Sequence, residues 1–313
     1  MCCMAMLVGC QQTDGIENQR EELVMSMEAS IVKSELGSRY SGETPNVVAF
    51  VDGDKIGLSV NDGSFAQWTY GDEKWTTTPS VNWNDKSSEH SFTAFYPYTA
   101  DASKSNVPMP DLSGQDGTMA SIAVHDFLVS TKKQAYGADG IVSFTGNDAF
   151  KHVSSLVTLT LKGEGELLGA NIKGISISGE HILTPSSYSF EVTDGKVTLS
   201  SDLEKKASLL KVSPSYTMTS ESKTYYFVLN SGTVALSDVT LSIRYEKGEK
   251  VYQAQLTGLG TNTVTEFERG KQYSYVLKVA GGVLVVTGNK IADWGEGLTM
   301  DDIVINGSEV AES

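Results

Sequence analysis

Thiols are confined to the first ten residues of this 313-residue chain, at Cys2, Cys3 and Cys10, and none follows. A body that begins at Cys10 can therefore form no internal disulfide and offers no thiol nucleophile apart from its first residue. Positive charge is scarce as well. Lys and Arg number 24 against 39 Asp and Glu, a formal net charge of -15, and a surface built to hold nucleic-acid phosphates would need the opposite sign. Long apolar runs are missing: nothing after residue 10 approaches the ~20 residues of a membrane-spanning helix. Helical signals are few, and only Ser201-Asp202-Leu203-Glu204 has the form of a capping box, enough for one short helix.

Catalytic patterns are equally thin. His90, His125, His152 and His181 are scattered, with no His-x-x-x-His spacing to hold a metal. Gly174-Ile175-Ser176-Ile177-Ser178 lacks the second glycine of a nucleophile elbow and alternates like a strand. Gly163-Glu164-Gly165 with Gly169 misses the dinucleotide spacing and places glutamates where a phosphate would sit, so it is read as a hairpin turn. Carboxylates are abundant, yet no two are marked as a glycosidase pair converging from separate strands. No catalytic residue, metal site or cofactor is expected, and the chain is read as a non-enzyme.

What the chain does have is an N-terminal signature and many strands. Leu7-Val8-Gly9-Cys10 closes a short apolar stretch in the manner of a bacterial lipoprotein signal, in which the cysteine is acylated and the chain cut just before it. Residues 1–10 are read as that signal, with Cys10 the lipidation site, and 11–20 as a tether. Val239-Thr240-Leu241-Ser242-Ile243-Arg244-Tyr245 alternates apolar and polar, as do Val157, Leu159 and Leu161 with Thr158 and Thr160, and Tyr273, Tyr275, Leu277 and Val279. Tyr225 to Leu229 and Val283 to Val286 read as more fully buried strands. Turn signals stand between them at Asp52-Gly53, Asn61-Asp62-Gly63, Asp194-Gly195, Lys247-Gly248 and Gly281-Gly282.

The fold class read from this is all-β, mainly antiparallel, with little helix, arranged as two tandem sandwiches. The boundary is set near Gly146 to Lys151, giving an N-terminal domain over 21–148 and a C-terminal domain over 149–313. The first holds three of the four tryptophans and a loose, polar connection from Thr99 to Gly117 containing Pro108 and Pro110.

Phe50-Val51-Asp52-Gly53-Asp54-Lys55-Ile56-Gly57-Leu58, then Trp68, Trp75 and Trp83, then Phe92-Thr93-Ala94-Phe95-Tyr96-Pro97-Tyr98 form an ordered string of landmarks. Asp126-Phe127-Leu128, Phe150-Lys151-His152-Val153, Gly270-Lys271-Gln272-Tyr273-Ser274-Tyr275 and Ile291-Ala292-Asp293-Trp294 continue it. From Ile31 to Trp294 the string resembles the fimbrillin family of Bacteroides-type bacteria. That resemblance implies transthyretin-like sandwiches and export as an outer-membrane lipoprotein precursor. It also implies removal of an N-terminal segment by an arginine-specific protease and assembly with other fimbrial subunits by donor-strand exchange. The destination would be a cell-surface fimbrium engaged in adhesion to a host or bacterial surface ligand. Of the landmarks, Asp52-Gly53-Asp54 is read as a hairpin turn rather than a cation loop, and Trp294 as a plug at the end of the last sheet.

The parts such a mechanism needs can be sought residue by residue. Leu23, Met25, Met27, Ala29 and Ile31 share one face of an extended segment, with Ser26, Glu28 and Ser30 on the other; Leu23, Met27 and Ile31 also fit helical spacing. Residues 22–33 are read as the removable strand. A polar, glycine-containing stretch from Lys33 to Gly42 follows, the kind of exposed connection proteases enter, and it contains Arg39. The chain has only four arginines, and Arg20, Arg244 and Arg269 are the others. Arg244 lies in a predicted strand and Arg269 in a tight late connection, while cutting at Arg20 would free the lipid and leave the strand. Arg39 is therefore the expected processing site.

The tail from Leu298 to Gly307 is short, and Leu298 and Met300 are out of phase with Ile303 and Ile305. It suits a tip or accessory subunit, which need only accept a strand, nearly as well as a stalk subunit. The competing readings are a surface lipoprotein that binds glycans on a platform of Trp68, Trp75 and Trp83, and a secreted β-sandwich hydrolase.

Overall fold

The structure is a computed structural model, and it describes residues 23–32, 49–103, 105–183, 189–193, 196–200, 207–231, 235–259 and 265–294. It is built mostly of strands in antiparallel sheets, none closed into a barrel, as the all-β reading expects.

The first part of the chain forms β1 (Ser26–Ala29), β2 (Lys55–Val60), β3 (Ala66–Gly71), β4 (Lys74–Thr77), β5 (Glu89–Tyr96), α1 (Met119–His125), β6 (Leu128–Ala135), β7 (Ile141–Phe144) and β8 (Lys151–His152). Six of these join in the order β4-β3-β2-β5-β6-β8 as a wholly antiparallel sheet. β1 and β7 form a separate parallel pair. Ile56 and Leu58 of β2, Trp68 of β3, and Phe92 and Ala94 of β5 are buried in one cluster with Met25, Met27, Val142 and Phe144, so the small pair covers one face of the large sheet. Gly57 has no Cβ because the Phe95 ring crosses its strand; a Cβ there would lie 2.3 Å from Phe95.

The opposite face is covered by the connection that the sequence presents as loose. It is packed instead: Val107 joins Phe95, Phe127 and Val153 in a second cluster, and Leu112 is fully buried. Gln115 is buried too, donating to the carbonyls of Leu112 and Val228 and accepting from the Val228 amide at 2.6 Å. A few apolar anchors and one amide side chain hold a segment whose average composition is polar. α1 follows, capped by the Thr118 hydroxyl, which accepts from Ser121 N.

The second part forms β9 (Ser155–Leu161), β10 (Asn171–Glu180), β11 (Ser189–Thr193), β12 (Lys196–Ser200), β13 (Ala207–Val212), β14 (Tyr216–Thr217), β15 (Lys223–Leu229), β16 (Thr240–Lys247), β17 (Lys250–Thr257), β18 (Lys271–Ala280) and β19 (Val283–Asp293). β15-β9-β18-β19 make one sheet and β13-β10-β16-β17, with β14 beside β10, another; β11 and β12 are a separate hairpin pair. Val157, Leu159, Phe227, Tyr273 and Leu277 of the first sheet meet Ile175, Ile177, Leu241, Ile243 and Tyr245 of the second in one core, which makes this part a sandwich. β9 is buried on both faces, and its threonines are satisfied there: Thr158 donates to Ser274 at 2.7 Å, and Thr160 pairs with Thr224. β9 also runs parallel to β18.

Several local expectations are corrected. Val283 to Val286 is not a buried strand: β19 is the outer strand of its sheet and Val283 is 52% exposed. Gly163 to Gly169 is not a hairpin, because it carries the chain from β9 in one sheet to β10 in the other. Asp52-Gly53-Asp54 is a turn leading into β2 rather than one joining two strands. β3 and β4 are joined through Asp72 and Glu73, both with φ near +55° (52° and 59°), the type I′ geometry of a two-residue hairpin without its usual glycine. Ser201 to Glu204 and Asp194-Gly195 lie outside the described residues.

Gly163 is the tightest glycine position: a Cβ would fall 1.8 Å from the backbone oxygen of Thr219. Since backbone cannot yield as a flexible side chain can, Gly163→Ala is expected to lower stability by roughly 2–3 kcal/mol. Urea unfolding would measure it, with Gly71→Ala, in open space and without a positive φ, as the comparison.

Candidate assembly site

The N-terminal segment lies between two neighbours. On one side the Met25 amide donates to Val81 O at 2.8 Å and the Trp83 amide to Leu23 O at 2.8 Å. On the other, Ser26 N donates to Gly140 O, Ser30 N to Phe144 O, Phe150 N to Ser30 O and Val32 N to Phe150 O, at 2.8–3.2 Å. β1 pairs with β7 from Ser26 opposite Ile141 to Ala29 opposite Phe144. Successive amides point to opposite sides in a strand, so a single extended segment can satisfy both neighbours.

Of the five apolar residues on its inner face, Met25, Met27 and Ile31 are buried, and Leu23 and Ala29 are partly buried against the same cluster. The floor beneath is aromatic. Trp83 meets Phe92 edge-on at 5.2 Å, Phe144 lies 5.7 Å from Phe150, and Phe50 packs edge-on against Phe150 at 5.3 Å and Trp75 at 5.0 Å. Trp83 also ties the two walls together, its indole Nε1 donating to Gly140 O at 2.8 Å. Burial of three such side chains contributes roughly 1.5–3 kcal/mol each as an upper estimate, and each ladder bond about 1 kcal/mol more.

Just after Trp83 the wall is braced by Asp85, whose carboxylate accepts from Ser88 N at 2.6 Å and Ser87 N at 2.7 Å. Those amide bonds, Ser88 first, hold its pKa down at about 2. Farther along, where Ile31 ends the segment, burial and then the neighbouring Asp54 carboxylate push the Tyr96 phenol above its ordinary value. The Tyr96 hydroxyl donates to Asp54 Oδ1 at 3.1 Å.

Trp68, Trp75 and Trp83 are 1%, 7% and 3% exposed, so they form core and cannot serve as a stacking platform for sugars. The four histidines stay apart, and among the described residues no group of three or more His, Cys, Asp or Glu could hold a metal. No described helix is long and apolar enough to cross a membrane. Cys10, Arg20, Arg39 and the tail from Leu298 to Gly307 lie outside the described residues.

One constellation escaped the sequence reading although its members stood among the landmarks. His152 Nδ1 donates to Asp126 Oδ2 at 2.8 Å in a fully enclosed pair, and the Trp294 indole stacks on the His152 ring at 4.1 Å and 6°. Trp294 also packs with Leu112, Ile122, Leu156 and Val228 where the two large cores meet. The signal was the recurrence of Asp126, His152 and Trp294 in separate landmark segments; their spacing along the chain gave no hint of contact.

The fold is an all-β sandwich architecture in which an N-terminal segment completes a layer over the first sheet. The sequence profile of the fimbrillin-like family matches residues 43–294, and the chain belongs to that family. Membership makes it a fimbrial protein of the cell surface. Its fold is shared with a candidate cell-adhesion protein from Bacteroides uniformis, at TM-score 0.58 and 14% identity over 87% of this chain and 99% of that one. A second, from Bacteroides ovatus, has TM-score 0.57 and 17% identity over 88% and 99%. No curated protein matches at a significant level.

Truncation of a buried residue of the segment should be costly in the intact chain. Met27→Ala is expected to lose about 2–5 kcal/mol in urea unfolding followed by tryptophan fluorescence, whereas exposed Glu28→Ala should change stability by less than about 0.5 kcal/mol. The Asp85 turn gives a pH prediction. Its folded pKa lies below the ordinary 3.8, so its contribution is complete above about pH 4 and is lost as pH falls toward 2. Carboxyl-carbon NMR should place the Asp85 midpoint near 2, and Asp85→Asn should remove that part of the acid dependence.

Proposed function

We propose that the chain is the precursor of a fimbrial subunit, held in the outer membrane through a lipid on Cys10, with residues 22–33 as a temporary occupant of the first sandwich. An arginine-specific protease cuts at Arg39, the segment leaves, and a donor strand from another subunit takes its place. The two sandwiches correspond to 21–148 and 149–313, and the assembled protein serves adhesion to a host or bacterial surface ligand, as a stalk, tip or accessory subunit.

The observation that carries this reading is the position of residues 23–32. They are hydrogen-bonded on both sides and buried on one face, yet they enter the first sandwich as a discrete strip, with residues 33–48 between them and Ala49. Energetics explain the need for cutting. A covalently attached strand competes at an effective concentration around millimolar or higher, which a free neighbour cannot match. Cleavage makes the occupant a dissociable peptide, and the incoming strand can then pair by β-augmentation with the same edges.

Arg39→Ala is expected to keep residues 22–33 in place and to stay monomeric after treatment with an arginine-specific protease, even where a cut at Arg20 frees the lipid. The unaltered chain should lose its N-terminal segment and shift to oligomers, or to complexes with other subunits, on size exclusion. Normal assembly by Arg39→Ala would sink the proposal.

A further inference from the structure

A cavity of about 400 Å³ opens beside Ile31, at the end of the N-terminal segment. Its walls are Phe50, Met119, Ala123 and Leu128, contributed by the chain entering β2, by α1 and by the start of β6. An apolar cavity of about 150 Å³ is enough to take up benzene, so the Ile31 side chain, which itself lines the space, leaves room for a whole ring. Three polar residues line the same space: Asp54, Tyr96, whose hydroxyl donates to Asp54 and to the Ala123 carbonyl, and Asp126. Asp126 is fully buried. Its Oδ2 accepts from His152, while its Oδ1 has no hydrogen-bond partner among the described residues. A buried acceptor left unsatisfied costs about 1–3 kcal/mol and calls for a donor.

We infer that this cavity is a specificity pocket for the strand that replaces residues 22–33, and that the residue standing where Ile31 stands is a large aromatic carrying a donor, Tyr or Trp. The inference rests on the donor-strand reading above. The cavity is continuous with the groove, since Ile31 is both the last buried residue of the segment and part of the cavity wall. Ile31 therefore under-fills its own site, which favours displacement: the resident holds the groove closed, and an aromatic-bearing strand holds it more tightly. Tyr and Trp combine a large apolar body with a hydroxyl or indole N–H, matching the apolar walls and the unpartnered Oδ1 of Asp126. Residues 295–313 contain no aromatic residue. A strand drawn from that segment would leave both the space and the oxygen unfilled, so the fitting strand is one that carries Tyr or Trp.

Two measurements separate the pocket from the exchange reading on which it rests. In the uncut full-length chain, Ile31→Tyr should raise the melting temperature by about 4 °C or more, more than Ile31→Phe, and Ile31→Ala should lower it. In the second, the chain is cut by an arginine-specific protease in the presence of labelled peptides with the sequence of residues 22–33, carrying Ile, Tyr or Ala at position 31. The Tyr peptide should outcompete the Ile peptide about tenfold, which is about 1.4 kcal/mol, and the Ala peptide should compete worst. Failure of the cut chain to take up any peptide would refute strand exchange, whatever the stability series gave. Uptake with equal competition by the Ile and Tyr peptides would leave exchange standing and overturn the pocket. A melting temperature raised by indole but lowered by Ile31→Tyr would assign the cavity to a small free ligand and overturn it as well.

Discussion

The first sandwich depends on a covering that its N-terminal segment helps to supply. Its six-stranded sheet presents Ile56, Leu58, Trp68 and Phe92 on one face, and only the short β1–β7 layer lies over them. β7 is four residues long and β1 contributes the other half of the layer, so Met25, Met27 and Ile31 are as much part of the core as the tryptophans beneath them. Apolar burial scales with the area removed from water, and a sheet with one face half uncovered would expose rings that water disfavours. The segment in that position is accordingly extended, apolar on alternate positions and bonded on both sides.

Those requirements explain why the arrangement discriminates so little on the backbone and so much at the side chains. Hydrogen bonds from Val81, Trp83, Gly140, Phe144 and Phe150 accept any extended segment in the right register. In the proposed exchange the aromatic floor and the space beside Ile31 judge the side chains by shape and, at Asp126, by polarity. Division of labour between ladder and pockets is general for added strands.

Much of the second sandwich could be read directly from alternation. Val239 to Tyr245 predicts β16, Tyr273 to Val279 falls in β18, and the glycine pair Gly281-Gly282 turns between β18 and β19. Other features depend on neighbours remote in sequence. The exposure of Val283 follows from β19 lying at an edge, which no local pattern encodes. The turn at Asp72-Glu73 lacks the glycine by which such turns are recognised, and α1 buries only Ile122. At the candidate site, the alternation from Leu23 to Ile31 is visible in the chain, but its two flanks at residues 81–83 and 140–150 are not. The same holds for Asp126 and His152: a buried pair formed across 26 residues leaves no periodic trace.

The stack of Trp294 on His152 has a mechanical consequence. Trp294 follows directly on β19, its amide donates to Gly270 O at 2.7 Å, and β19 is zipped to β18 from Lys271–Asp293 to Ala280–Val283. Tension entering the protein through the chain beyond Trp294 meets a ring wedged at the seam of the two cores before it reaches any ladder bond. The seam is thus a strain relief, placed where a pull on the last strand first arrives.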